Sequence, residues 1–175
     1  MTPPADEERA DDERPDEERH LRLLAEASDA IVAGVARELP GWVVRSVARI
    51  LDLWARADAD VRARAERDAI IAGDGATRRV VGELTDLFAL DPADQVHTPL
   101  QIVRSASREP TAVLEAAGVA PVVRDPFDER SWPDDRYGLV IANLGDLGDE
   151  SLAPLHFAWG MAKAGVLRDR SLSDP

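Results

Sequence analysis

Apolar residues in this chain recur at intervals of three and four, the spacing that places side chains on one face of an α-helix. Leu24, Ile31, Val35 and Leu39 show this spacing first. A second and longer series follows it: Val43, Val47, Ile50, Trp54, Ala57, Val61 and Ala65. The sequence shows no sustained alternation of apolar and polar residues, which several strands would need. It therefore predicts an all-α fold.

Proline and glycine predict where the helices of the first half end. Pro40 and Gly41 predict the end of a first helix, because proline disrupts a helix interior and glycine favours a helix end. Gly73 and Gly75 predict the end of a second helix in the same way. The helices expected here are 21–39, 42–72 and 77–90.

Three more helices are expected in the second half of the chain. Short helices should begin near Pro99 and Pro110, since proline is favoured in the first helical turn, and Gly118 should close the second of them. A last helix is expected from Ser151. Its buried residues should be Leu152, Leu155, Trp159, Ala162 and Val166. The sequence thus predicts a bundle of about five to six helices.

Residues 1–19 are predicted to form an acidic, disordered tail. Three imperfect copies of a five-residue unit, DEERA, DDERP and DEERH, follow one another from Asp6, and Pro15 interrupts them. The first twenty residues hold nine acids and three arginines, which is −6 of the net charge of −13. Such blocks are usually solvated. The remainder, 20–175, is expected to be one helical domain, with long helices over 20–90 and shorter elements over 91–170.

Residues 121–137, PVVRDPFDERSWPDDRY, fit neither a helix nor a strand. Irregular segments longer than about 12–15 residues inside a domain are usually functional or disordered, and the three aromatic residues here favour an ordered, proline-rich loop. Aromatic residues beside arginine are enriched at protein interfaces. The loop is therefore predicted either to bind a protein partner or to plug the end of the bundle. The residues expected to contact a partner are Arg124, Phe127, Arg130, Trp132 and Tyr137.

Composition argues against several classes of function. The chain has no cysteine, which excludes disulfides, cysteine zinc sites and thiol nucleophiles. A net charge of −13 disfavours contact with a phosphate backbone, and the apolar runs are shorter than a membrane span needs. The expectation is a cytoplasmic protein that binds neither nucleic acid nor membrane.

Known catalytic and cofactor motifs are also missing from the sequence. It contains no phosphate-binding glycine loop and no serine in a nucleophile elbow, so no cofactor and no catalytic residue are predicted. Asp91, Asp94 and His97 follow one another at three-residue steps. Only Asp94 and His97 would share a helical turn as ligands, and two ligands do not make a metal site. No metal site is predicted.

These observations favour a non-catalytic cytosolic module that acts by binding a protein partner, with homo-oligomerisation through the helix 42–72 as a further hypothesis. The alternative is a small-molecule binder or enzyme whose anionic ligand is held by Arg104, Arg108 and Arg124. Arg104 and Arg108 are four residues apart and can share a helical face. A third hypothesis is that the acidic tail mimics nucleic acid and binds a basic partner.

One segment also resembles a known group of proteins. The motifs TPL, REPTAVLEAAGVAPVVRD, FDER, PDDRYGL and FAWGMAKA follow one another between Thr98 and Lys163. With these motifs the segment 98–163 resembles an uncharacterised family of small helical proteins from actinobacteria. The resemblance implies a bacterial cytosolic protein. It implies no catalytic or binding residue, because the motifs have no assigned chemistry.

Overall fold

The computed structural model describes residues 7–54, 58–119, 144–148 and 152–173, and within these ranges every regular element is helical. In chain order the elements are α1 (Glu7–Trp54), α2 (Ala59–Ala89), α3 (Pro99–Arg104), a first 3₁₀ turn (Ser105–Ser107), α4 (Arg108–Ala116), a second 3₁₀ turn (Leu144–Leu147) and α5 (Leu152–Ser173). The all-α prediction is therefore confirmed for these residues. The predicted proline-rich loop, 121–137, lies outside them.

Helix α1 continues through Pro40 and Gly41, so the predicted helix end at these residues is wrong. A proline inside a helix costs about 3 kcal/mol because it removes one hydrogen bond and crowds the preceding turn. Packing outweighs this cost here. Leu39 and Val43, on either side of the Pro40–Gly41 pair, are fully buried in the core.

Helix α2 likewise continues through Gly73 and Gly75, and the helix predicted over 42–72 is not an element of the structure. Asp58 marks the start of α2 instead, because its side chain accepts a hydrogen bond of 2.8 Å from the backbone N–H of Val61. The predicted number of five to six helices depended on these two helix ends, and it is not confirmed. At Pro40–Gly41 and at Gly73–Gly75, tertiary contacts outweigh the low helix propensity of proline and glycine.

The long helices α1 and α2 run antiparallel and approach closely at Gly73. A Cβ atom built on Gly73 would lie 2.9 Å from the carbonyl oxygen of Pro40, so the missing side chain lets the two backbones meet. Nearer the end of α1, Arg62 donates hydrogen bonds to the carbonyl of Leu51 and to the carboxylate of Asp52. These contacts fix the register of the α1–α2 pair.

Helix α5 packs antiparallel on the N-terminal part of α1. The side chain of Leu152, at the start of α5, fills the space beside Gly34, and the ring of His20 lies against Gly165 near the other end. Side chains from α1, α2 and α5 form the larger core cluster, which includes Ile31, Val80 and Trp159. A smaller cluster joins α4 to the C-terminal part of α1 and the first half of α2.

Helix α1 begins at Glu7, inside the segment predicted to be a disordered tail. Contacts with α5 give this part of the chain a packing partner: Glu17 accepts a hydrogen bond of 2.9 Å from Arg170, and His20 Nδ1 lies 2.7 Å from Asp169 Oδ2. The helix therefore starts earlier than the predicted domain boundary at residue 20.

The short elements follow the sequence prediction more closely. Thr98 and Gln101 form a reciprocal capping box at the start of α3, directly before Pro99. Gly118 closes α4 with φ of 82°, a conformation that glycine adopts without strain. The start predicted at Pro110 is replaced by Arg108, since a 3₁₀ turn joins α3 directly to α4.

Candidate interaction surface

The inner face of α5 anchors the helix to the bundle. Trp159 is 3% exposed and its ring centroid lies 6.1 Å from that of Phe88. Leu152 and Ala162 are buried in the same core cluster as residues of α1 and α2, and Val166 is fully buried. The predicted burial of these four α5 residues is confirmed. Leu155, the fifth predicted core residue, is half-buried at the edge of the same cluster.

The outer face of α5 is also apolar, which the sequence prediction missed. Phe157 is 71% exposed and Met161 is 59% exposed. Every exposed residue from 153 to 167 is non-polar. We call this set of residues the α5 face. Its members are Ala153, Pro154, Phe157, Ala158, Gly160, Met161, Ala164 and Leu167. A surface helix of a globular protein normally carries polar residues on its outer side, so the α5 face departs from the usual pattern.

Lys163 is the only charged residue between 152 and 167, and its ammonium group contacts Gln95 and the buried Trp159. Its Nζ donates a hydrogen bond to the backbone carbonyl of Gln95 and lies 5.3 Å from the centre of the Trp159 ring. Burial lowers the pKa of Lys163. Because the cation is held toward the α2 side, it does not interrupt the apolar surface.

His156 borders the α5 face and stacks on Trp159, with 6.4 Å between ring centroids and an interplanar angle of 11°. Burial lowers the pKa of His156 below its ordinary value of 6.5. The neutral imidazole is therefore the main form near pH 7, and the border of the α5 face remains uncharged at that pH.

Exposed apolar residues elsewhere in the described ranges lie in different surroundings. Ile71 on α2 is 70% exposed, close to the value for Phe157, and its neighbour Ile70 is 56% exposed, but the residues one turn away from Ile71 are Arg67, Asp68, Asp74 and Gly75. Scattered apolar residues on a surface are normal in soluble proteins, whereas a large contiguous apolar patch marks an interaction site. The continuity of the α5 face, and not the exposure of any one residue, makes it the candidate site.

A polar cluster joins the C-terminal end of α5 to α1. Arg168 and His20 hydrogen-bond to Asp169 and lower the pKa of its carboxyl group, with Arg168 the larger influence. A cavity of about 190 Å³ lies beside them, lined by Asp16, Arg168, Asp169 and Leu172. Its arginine is already paired with an acid of the chain. The cluster is therefore explained as the attachment of α5 to α1.

Arg170 forms a second set of ion pairs at the same end. It donates to Glu17 at 2.9 Å and to both carboxylate oxygens of Asp91 at 2.8 Å. The backbone N–H of Ala93 and, after it, Arg170 lower the pKa of Asp91. Asp91 thus serves as a turn residue and an ion-pair partner. Within the described ranges, no three histidine or acidic side chains are grouped to hold a metal ion.

Two of the three arginines proposed for an anionic ligand lie in the described residues, at the junction of α3 and α4. Arg104 ends α3 and Arg108 begins α4, with the first 3₁₀ turn between them, so the pair does not share one uninterrupted α-helical face. Arg79 approaches this region from α2, but it is hydrogen-bonded to Glu109 at 2.8 Å and to Ser105. Arg124 lies outside the described residues.

Of the two other predicted surfaces, one lies outside the described residues and the other is largely buried. Arg124, Phe127, Arg130, Trp132 and Tyr137 all lie outside the described residues, so their role in partner binding stays a prediction. The apolar stripe expected to mediate homo-oligomerisation through the helix 42–72 is largely internal, since Val43, Val47, Ile50 and Ala65 are buried in the two core clusters. That stripe is used within the chain.

Comparison of the chain with protein-family models, with curated proteins and with solved structures finds no match in any of the three. The resemblance of residues 98–163 to small actinobacterial proteins therefore stays a prediction. In the part of the chain that the structure describes, none of the helices combines the length and apolar character that crossing a bilayer requires.

Proposed function

We propose that this protein is a cytosolic, non-catalytic interaction module that docks a protein partner on the α5 face. One observation carries the proposal: the exposed residues between 153 and 167 are all non-polar, while the opposite side of the same helix is packed in the core. A helix that is apolar on all sides normally has all its sides covered. The described residues cover only one side of α5, and a partner would cover the other.

The chemistry of the α5 face supports binding rather than catalysis. A docking surface needs apolar area that leaves water on association, and Phe157 supplies on the order of 150 Å² because an aromatic side chain presents roughly 150–250 Å². Of the nearby ionisable groups, His156 stacks on Trp159 at the border of the face and is neutral near pH 7, and the ammonium group of Lys163 is hydrogen-bonded to Gln95. No charged group therefore has to be buried when a partner covers the face.

Charge insertion into the α5 face tests this function. Phe157→Glu is expected to reduce retention of the partner by roughly tenfold or more, because a buried, unpaired carboxylate is costly. Ile71→Glu is the matched control, since Ile71 has almost the same exposure and lies on α2. The measurement is quantitative affinity capture from lysate of the source cell, with the thermal unfolding midpoint of each variant measured in parallel.

Retention by the wild type and by Ile71→Glu, with loss in Phe157→Glu at an unchanged unfolding midpoint, is the expected pattern. Equal retention by all three proteins would contradict docking on the α5 face. Loss in both variants would place the docking surface elsewhere.

A further inference from the structure

We draw no further inference here: the strongest candidate, the exposed apolar surface of α5 between residues 153 and 167, belongs to the docking site already described, and nothing in the structure shows what covers it.

Discussion

Trp159→Ala is expected to lower the free energy of unfolding by about 3–5 kcal/mol, the range for removing a large aromatic residue from a core. Trp159 is the largest side chain that α5 contributes to the bundle, and it is 3% exposed. Its ring packs against Phe88, stacks on His156 and lies below the ammonium group of Lys163. Alanine would leave a cavity between α5 and α2. Urea unfolding followed by circular dichroism measures the effect.

Trp159→Phe is the matched control for this change. Phenylalanine keeps an aromatic ring against Phe88 and removes the indole N–H, which is buried without a hydrogen-bond partner among the described residues. Removing an unsatisfied donor offsets part of the free energy lost with the packing contacts. Trp159→Phe is therefore expected to lower the free energy of unfolding by less than about 2 kcal/mol. If the free energy of unfolding of Trp159→Ala were within about 1 kcal/mol of the wild-type value, this residue would not anchor α5.

Gly73→Val is expected to destabilise the fold by about 3 kcal/mol, the upper part of the usual range for overpacking. A Cβ at this position would lie 2.9 Å from the carbonyl oxygen of Pro40 and 3.2 Å from its Cα. Both are backbone atoms, so relief requires α1 and α2 to move apart. The free energy of unfolding in urea again provides the measurement.

Gly82→Val provides the comparison, because no described atom lies within 4 Å of a Cβ on Gly82 in the same helix. Valine and glycine differ by only a few tenths of a kcal/mol in helix propensity. The control is therefore expected to stay within about 0.5 kcal/mol of the wild type. Equal effects at residues 73 and 82 would contradict the close contact between α1 and α2.

The sequence predicted those features that depend on local patterns. Helical spacing predicted the all-α fold, and it also identified the inner face of α5 through Trp159 and Val166. Capping chemistry predicted the start of α3 at Pro99 and the end of α4 at Gly118. Each of these features depends on residues that are close to it in the chain, so it can be predicted from the sequence alone.

Features that depend on distant parts of the chain were missed. Pro40 and Gly73 were both expected to end helices, but they lie opposite each other in two helices that their contact supports. His20 carried no signal in the sequence, since its partner Asp169 is 149 residues away. Local helix propensity predicts neither of these two contacts.

The α5 face was missed for a different reason. One apolar stripe on the last helix was enough to predict its burial, and this prediction did not depend on the residues of the opposite side. The signal was present, because Lys163 is the only charged residue between 152 and 167. A helix with so few charges is apolar on both sides, which indicates a second contact surface.

Hydroxyl-radical labelling of the full chain measures directly whether the α5 face lies outside the fold. The labelling rate of each residue, divided by its rate in the urea-unfolded chain, reports its protection. In dilute solution, Phe157 and Met161 are predicted to be as weakly protected as Ile71, while Trp159 is strongly protected. Protection of Phe157 and Met161 equal to that of Trp159 at every concentration would contradict an exposed α5 face, and with it the proposed docking surface.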